Sequence, residues 1–367
     1  MSADYIMLGG FLGAGKTTAM IRLAEYLTAR GRRVGLITND QSHGLVDTTI
    51  VTAKGYPVQE ITGGCFCCRF NSLTEAAERL ARAARPDVFL AEPVGSCTDL
   101  RASVQYPLRR LYGDQYRIAP LSVLVDPVRA LRILGLEAGR SFSPKVLYVY
   151  GKQLEEADVL VINKSDVLAD DARRALEAAL KDRYPAGEVL TVSARTGSGL
   201  DRWFDRILAE PQDTRPAMDV DYEIYAEGEA LLGWLNATVR MTAPAPFDGN
   251  VLLERLAGKI RGRLAHADCE IAHLKMTFAP DEGNDIAALN LVRSDGVSEL
   301  SHRLVEKIHE GELIINLRAE GSPEQLHSTV AAALDEAAFD AGATAKVEHS
   351  EHFRPAKPEP TYRMATI

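Results

Sequence analysis

The 367-residue chain is too long for one ordinary hydrophobic core and predicts two domains. Its apolar share of 46% and charged share of 25% are those of a soluble globular protein, and a net charge of −9 weighs against non-specific nucleic-acid binding and docking on an anionic membrane. No apolar run approaches the ~18 residues of a spanning helix. No basic-then-apolar leader precedes the first strand, so the protein is expected to be cytoplasmic, with its five cysteines as reduced thiols.

In chain order, a strand over 5–8 runs into Gly10-Phe11-Leu12-Gly13-Ala14-Gly15-Lys16-Thr17-Thr18, and a helix over 19–30 follows. This is G-x-x-x-x-G-K-[ST] in the strand–loop–helix context that a phosphate-cradling loop needs. Backbone N–H groups from Gly10 to Gly15 and at Thr18 would surround phosphate oxygens, Lys16 would reach the β- and γ-phosphates, and the Thr17 hydroxyl would ligate Mg²⁺. A strand over 33–38, a polar loop over 39–47, a helix over 72–84 and a strand over 87–91 come next. A connecting segment over 106–116, strands over 121–125 and 159–162, a helix over 170–181, a strand over 189–192 and a helix over 200–208 complete the alternation. The strands are almost unbroken apolar runs, which predicts a mostly parallel sheet flanked by helices.

Residues 1–209 thus read as one nucleotide-binding domain, and the Pro-containing stretch 210–217 as a linker. Beyond it the patterns predict strand 235–241, helix 250–264, strands 269–278 and 286–292, helix 298–309, strand 313–318 and helix 323–338. That order suggests a smaller α+β domain over 218–347, ferredoxin-like in outline. The Pro-rich tail 348–367 is expected to be extended or docked along the surface.

Three further motifs carry chemistry. Asn163-Lys164-Ser165-Asp166 follows an apolar strand. In N-K-x-D the Asp166 carboxylate can accept from the guanine N1–H and N2–H₂, a donor pair adenine lacks, so GTP is favoured over ATP. Lys164 would lie along the base plane, and Ser193-Ala194 would support the base from its other side. Glu92-Pro93-Val94-Gly95 ends a buried strand, where a second acidic residue belongs beside Mg²⁺ and the γ-phosphate. Lys16 and Glu92 are the catalytic candidates, and Gly95 lets the backbone approach the γ-phosphate.

Gly63-Gly64-Cys65-Phe66-Cys67-Cys68 places three thiols at C-x-C-C spacing. Paired glycines permit the tight turn that would let them converge on Zn²⁺, Cu⁺ or Co²⁺. Buried apolar cysteines and a redox pair are the competing readings. Cys97, two residues after Gly95, is a candidate to lie near the cysteine cluster but reads first as a packed loop thiol; Cys269 reads as core, Trp203 and Trp234 as packing residues, and His349 and His352 as solvated.

Taken together in this order, the four motifs resemble the CobW-type family of GTP-hydrolysing metal chaperones, akin to HypB, UreG and MeaB. The resemblance spans about residues 3–208. It implies GTP hydrolysis coupled to delivery of zinc or cobalt to a client metalloprotein, with Cys65, Cys67 and Cys68 holding the metal. Where the family carries an acidic residue after Asn in the loop following the second strand, this chain has Asn39-Asp40, so Asp40 is a candidate to complete a metal site or touch Mg²⁺; His43 is a weaker one. Only eight scattered histidines are present, which weighs against a cobalt-buffering tract. Competing functions are a regulatory or assembly GTPase for a cofactor-dependent enzyme such as a corrinoid one, and an ATP-dependent small-molecule kinase. A second copy of the chain is retained as a partner.

Overall fold

The structure is a computed structural model that describes residues 2–39, 55–283 and 285–366. These fold into two compact units, one of residues 2–39, 55–228 and 356–366 and one of residues 229–283 and 285–355.

In the first unit, β1 (Ala3–Gly10), β2 (Val34–Asn39), β3 (Val58–Ile61), β4 (Val88–Glu92), β6 (Ser122–Val125), β7 (Val159–Ile162) and β8 (Glu188–Thr191) form a parallel sheet. The order is β3-β2-β4-β1-β6-β7-β8, and β5 (Tyr116–Ile118) pairs with the start of β1. The connections carry α1 (Lys16–Thr28), α2 (Phe70–Ala84), α3 (Tyr106–Tyr112), α4 (Pro127–Ile133), α5 (Pro144–Glu156), α6 (Asp170–Arg183) and α7 (Leu200–Ala209). Every residue of β2, β4, β6 and β7 is buried. Helices on both faces exclude water from these strands, hence their continuous apolar sequence. Ile6, Leu8, Leu36, Leu90 and Val161 pack with Ala19, Met20, Leu23 and Leu27 of α1 and with Trp203, Phe204 and Ile207 of α7. The Tyr5 ring meets Phe89 and Tyr116, with centroids 6.4 and 5.8 Å away. The parallel α/β expectation holds. It lacks β3, only four residues long, and α4 and α5, whose periodicity is interrupted by Gly135, Gly139 and Pro144. Chain connections diverge at β1, so the loops after β1, β4, β6 and β7 share one crevice at the carboxyl ends of the strands.

A helix, α8 (Tyr222–Leu231), runs into β9 (Leu232–Phe247). The second unit is an antiparallel sheet of β9, β10 (Glu270–Pro280), β11 (Ala287–Leu291), β12 (Glu299–His302), β13 (Ile308–Glu320) and β14 (Thr344–Phe353), in the order β12-β11-β10-β13-β9-β14. It also holds α9 (Gly249–His266) and α10 (Pro323–Ala341). With the β11–β12 hairpin set aside, the order β14-β9-β13-β10, with helices after β9 and β13, is the ferredoxin-like arrangement. Alternate residues Leu235, Ala237, Val239 and Met241 of β9 and Leu313, Ile315, Leu317 and Ala319 of β13 share a core with Leu252, Leu256 and Ile260 of α9 and Leu326, Val330 and Leu334 of α10. The opposite alternation is polar: Arg318 lies 3.8 Å from the Trp234 ring centroid and donates to Asn236 Oδ1 at 2.8 Å.

The helix expected over 298–309 is not there. Those residues make β12 and the start of β13, with Leu300 opposite Leu289. Leu300, Leu304 and Ile308 recur every fourth residue and so imitate a helical stripe, but each packs against the second core from extended or turn backbone. Residues 348–353, expected in the tail, belong to β14; as an edge strand with mostly exposed side chains it shows no apolar alternation. Cys269 is core, and His349 and His352 are exposed, as expected. No described helix is long and apolar enough to cross a membrane.

Candidate nucleotide and metal site

The loop from Gly10 to Gly15 leaves β1 at the centre of the sheet and turns into α1. Gly15 has φ +90°, and a Cβ there would lie 2.5 Å from Asn163 Nδ2, so only glycine fits both the backbone and the close approach. Lys16 is buried, and its Nζ donates to Gly10 O at 2.9 Å, curling the amine over the loop where phosphates would sit. The Thr17 hydroxyl donates to Glu92 Oε1 at 3.0 Å, which joins the start of α1 to the end of β4. A hydroxyl and a carboxylate at that separation are the hard oxygen donors that Mg²⁺ takes, so the residues fit the expected ion. Gly95 packs directly on the loop: a Cβ there would be 3.0 Å from Leu12 N. Sequence-distant Lys16, Thr17, Glu92 and Gly95 are thus brought together.

The residues expected at the base come from the loops after β7 and β8. Asn163 Nδ2 donates to Ala14 O, and its Oδ1 accepts from Ala194 N, both at 3.0 Å. Ser193 Oγ donates to Asp166 Oδ1 at 2.6 Å, and Arg195 sits 3.5 Å from Asp166 Oδ2. Lys164, in the left-handed region at φ +56°, donates to Gly13 O at 2.6 Å and to Asp126 Oδ2 at 2.8 Å.

Asp126 belongs to none of the four motifs, yet it sits in this site. It caps α4 by accepting from Arg129 N at 3.0 Å, and it is buried. Burial pushes its carboxyl up, but the charges of Lys164 and Arg129 overcome this and hold it down at about 2. Its one local signal is Asp-Pro after a strand, a helix start with Pro in the first turn.

Beyond β3, the Asn39 amide donates to Ile61 O at 3.0 Å and Gly64 O at 2.8 Å, pinning the Gly63-Gly64 turn to the end of β2. The turn brings the three thiols together: Cys65 Sγ lies 2.7 Å from Cys67 Sγ and 3.2 Å from Cys68 Sγ, and Cys67 and Cys68 are 3.7 Å apart. They are the one group of three or more metal-ligating side chains so gathered among the described residues. Cys65 and Cys67 are buried and Cys68 is partly exposed; none is in a disulfide. Hydrogen bonds from Cys67 and Cys68 hold the Cys65 thiol well below its usual range, whereas its proximity pushes Cys67 up and Cys68 up to about 11. Residues 40 and 43, the Asp40 and His43 candidates, lie outside the described residues.

Two further features have no signal in the sequence. The tail docks over the cysteines: Glu359 N–H donates to Cys68 Sγ at 3.2 Å, Thr361 N–H to Cys67 O at 2.9 Å and Thr361 Oγ1 to Cys68 O at 3.1 Å. The Tyr362 ring meets Phe70 edge-on, and Arg363 Nε donates to Asp99 Oδ2 at 2.8 Å. The loop after β4 is also held from below by α5, whose Gln153 Nε2 donates to Gly95 O at 2.9 Å and Cys97 O at 2.8 Å. Nearby Glu156 accepts from Arg101 N at 3.1 Å. Burial, reinforced by the charge of Asp99, pushes its carboxyl up to about 8.

Residues 4–191 match the family described as CobW/HypB/UreG, nucleotide-binding domain. The chain is 27% identical over 173 residues to a zinc chaperone YeiR of Escherichia coli, covering 47% of this chain and 49% of that one. It is 27% identical over 198 residues to a zinc chaperone CobW of Sinorhizobium, covering 48% and 55%. The matched region thus spans about half the length of these relatives. A crystal structure of the hydrogenase maturation factor HypB from Archaeoglobus fulgidus aligns at TM-score 0.40 and 19% identity, covering 56% of this chain and 89% of that one. With a phosphate loop, a base-side loop and a thiol cluster set around one parallel sheet, the chain belongs to the CobW/HypB/UreG family.

Proposed function

We propose that this protein is a GTP-hydrolysing metallochaperone. It binds GTP through residues 10–18, Asn163, Lys164, Asp166, Ser193 and Ala194, carries a transition metal on Cys65, Cys67 and Cys68, and passes it to a client metalloprotein. The observation that carries the reading is the convergence of three thiols within 4.8 Å in the unit that also holds the phosphate loop. Soft thiolates suit zinc best among the available divalent ions and also accept cobalt; relatives named zinc chaperones support the first choice.

When bound, Mg²⁺ would be held by Thr17 with Glu92 beside it and would offset phosphate charge. This chain's own residues do the rest. Lys16 turns from Gly10 O to the β- and γ-phosphates, the glycine-rich N–H groups hold the oxygens, and Glu92 and Gly95 register the γ-phosphate. Asp166 selects guanine. Nucleotide binding orders the loop after β4, and release relaxes it, which changes the metal's surroundings.

Zinc stoichiometry and GTP turnover, measured on one preparation with and without GTP, test the reading. About one zinc per chain and GTP-specific phosphate release support it. Turnover without zinc uptake would instead favour a regulatory GTPase for a cofactor-dependent enzyme.

A further inference from the structure

The last described residues of the chain cross the thiol cluster, and both belong to the first unit. At the cluster, Glu359 N–H points at Cys68 Sγ, 3.2 Å away. The Thr361 N–H and hydroxyl donate to Cys67 O and Cys68 O at 2.9 and 3.1 Å. Beside it, the Tyr362 ring stands edge-on to Phe70, the first residue of α2, with centroids 5.2 Å apart. Past the cluster, Arg363 Nε donates to Asp99 Oδ2 at 2.8 Å and Met364 N–H to Ala102 O at 2.9 Å. Asp99 is 1% exposed, so the crossing ends on a carboxylate set in the interior.

Cys65 and Cys67 are buried, and Cys68 is the partly exposed member of the trio. A thiolate-bound ion changes hands one ligand at a time, and an incoming ligand approaches most readily beside the exposed sulfur. Residues 359–361 lie on that sulfur and its carbonyl. An N–H aimed at a metal-binding sulfur also belongs to the outer shell that tunes metal affinity. Main-chain N–H groups of Glu359, Thr361 and Met364 make three of these bonds, so an extended segment of another protein can make them as well. Tyr362 and Arg363 add one aromatic contact and one cation. A tethered segment competes at an effective concentration on the order of mM, so it resists loose ligands and yields to a partner that brings contacts of its own.

We infer that residues 359–364 are a removable strap over the metal cluster. Closed, the strap slows loss of the metal. A client lifts it by laying an extended segment, an aromatic residue followed by a basic one, on the same carbonyls of Cys67, Cys68 and Ala102. This rests on the metal-carrying reading above and adds its regulation.

The test mixes the zinc-loaded full chain with an excess of the chromogenic chelator 4-(2-pyridylazo)resorcinol and follows zinc release by absorbance. Arg363→Ala and Thr361→Pro should each release zinc at least about tenfold faster than wild type, since one loses a charge-assisted hydrogen bond and the other two neutral ones. A fluorescein-labelled peptide of residues 356–367 is the probe for the client segment. It should bind Arg363→Ala at least about tenfold more tightly than wild type, whose own tail fills the surface. The same peptide carrying Tyr362→Ala and Arg363→Ala should bind neither. Zinc uptake with equal release from wild type and both variants overturns the strap alone, as does a peptide that fails to bind Arg363→Ala or binds wild type equally well. A wild-type chain that takes up no zinc overturns the metal-carrying reading too. Should neither variant fold, amide exchange on wild-type protein decides: the Glu359, Thr361 and Met364 N–H groups should exchange at least about tenfold more slowly than in the free peptide, and equal rates overturn the proposal.

Discussion

Asn163 ties the phosphate loop to the base-side loop: its amide nitrogen donates to Ala14 O and its amide oxygen accepts from Ala194 N, each at 3.0 Å and out of solvent. Asn163→Ala strands one buried acceptor and one buried donor, each of which costs about 1–3 kcal/mol. Urea denaturation should show a loss of about 2 kcal/mol or more, with GTP affinity falling at least about tenfold as the crevice loses its register. Wild-type stability in the variant would mean that water replaces both bonds.

Asp166 presents its carboxylate between Ser193 and Arg195. In Asp166→Asn, the amide can no longer accept from both guanine donors. GTP affinity should fall at least about 100-fold, and xanthosine triphosphate, whose base offers an acceptor there, should bind better than GTP. A nucleotide preference unaltered by the change would point back to an ATP-using kinase.

Replacing Cys65, Cys67 and Cys68 together by Ser should abolish stoichiometric zinc binding in calorimetry while leaving GTP affinity in the absence of metal within about threefold, because the thiols follow β3 whereas the phosphate loop follows β1. In the native protein, coupling must be reciprocal: the factor by which a GTP analogue changes zinc affinity equals the factor by which zinc changes affinity for the analogue. Identical zinc affinities with and without the analogue would refute the switch.

Glu156 gives the fold a pH signature. Its carboxyl is raised from an ordinary 4.5 to about 8 in the folded chain, by burial first and the charge of Asp99 second. The folded state therefore holds a proton that the unfolded chain releases above pH 4.5. This contribution to stability is complete below 4.5 and is lost as pH rises through 8. The urea midpoint should fall between pH 5.5 and 8, and Glu156→Gln, which is neutral throughout, should flatten that slope. An unchanged slope would place the titration elsewhere.

The tail meets the Cys68 sulfur through the backbone donor Glu359 N–H, and the Cys68 carbonyl through Thr361 Oγ1. Glu359→Pro removes that donor and should raise the alkylation rate of Cys68 by iodoacetamide severalfold, without altering GTP affinity. Mass spectrometry of the labelled peptide reads the site directly. Equal rates would show that the tail does not shield the thiol.

The parallel sheet, the phosphate loop, the guanine motif and the C-x-C-C turn were legible in the amino-acid sequence because each is written in contiguous residues. Gly10 to Thr18 stand between a strand and a helix, Asn163 to Asp166 directly after a buried strand, and Cys65 to Cys68 behind paired glycines. Local backbone requirements and short spacing carry that information by themselves. What only the tertiary structure decided is which distant groups meet those motifs. Asp126 under Lys164, Gln153 beneath the loop after β4, and residues 359–363 across the cluster are separated from their partners by 38 to almost 300 residues. No local pattern encodes such pairings. Asp126 and Lys164 meet because the strand order β4-β1-β6-β7 carries the loops after β6 and β7 to the same end of one sheet, whereas Gln153 and residues 359–363 are brought in by a flanking helix and by the tail.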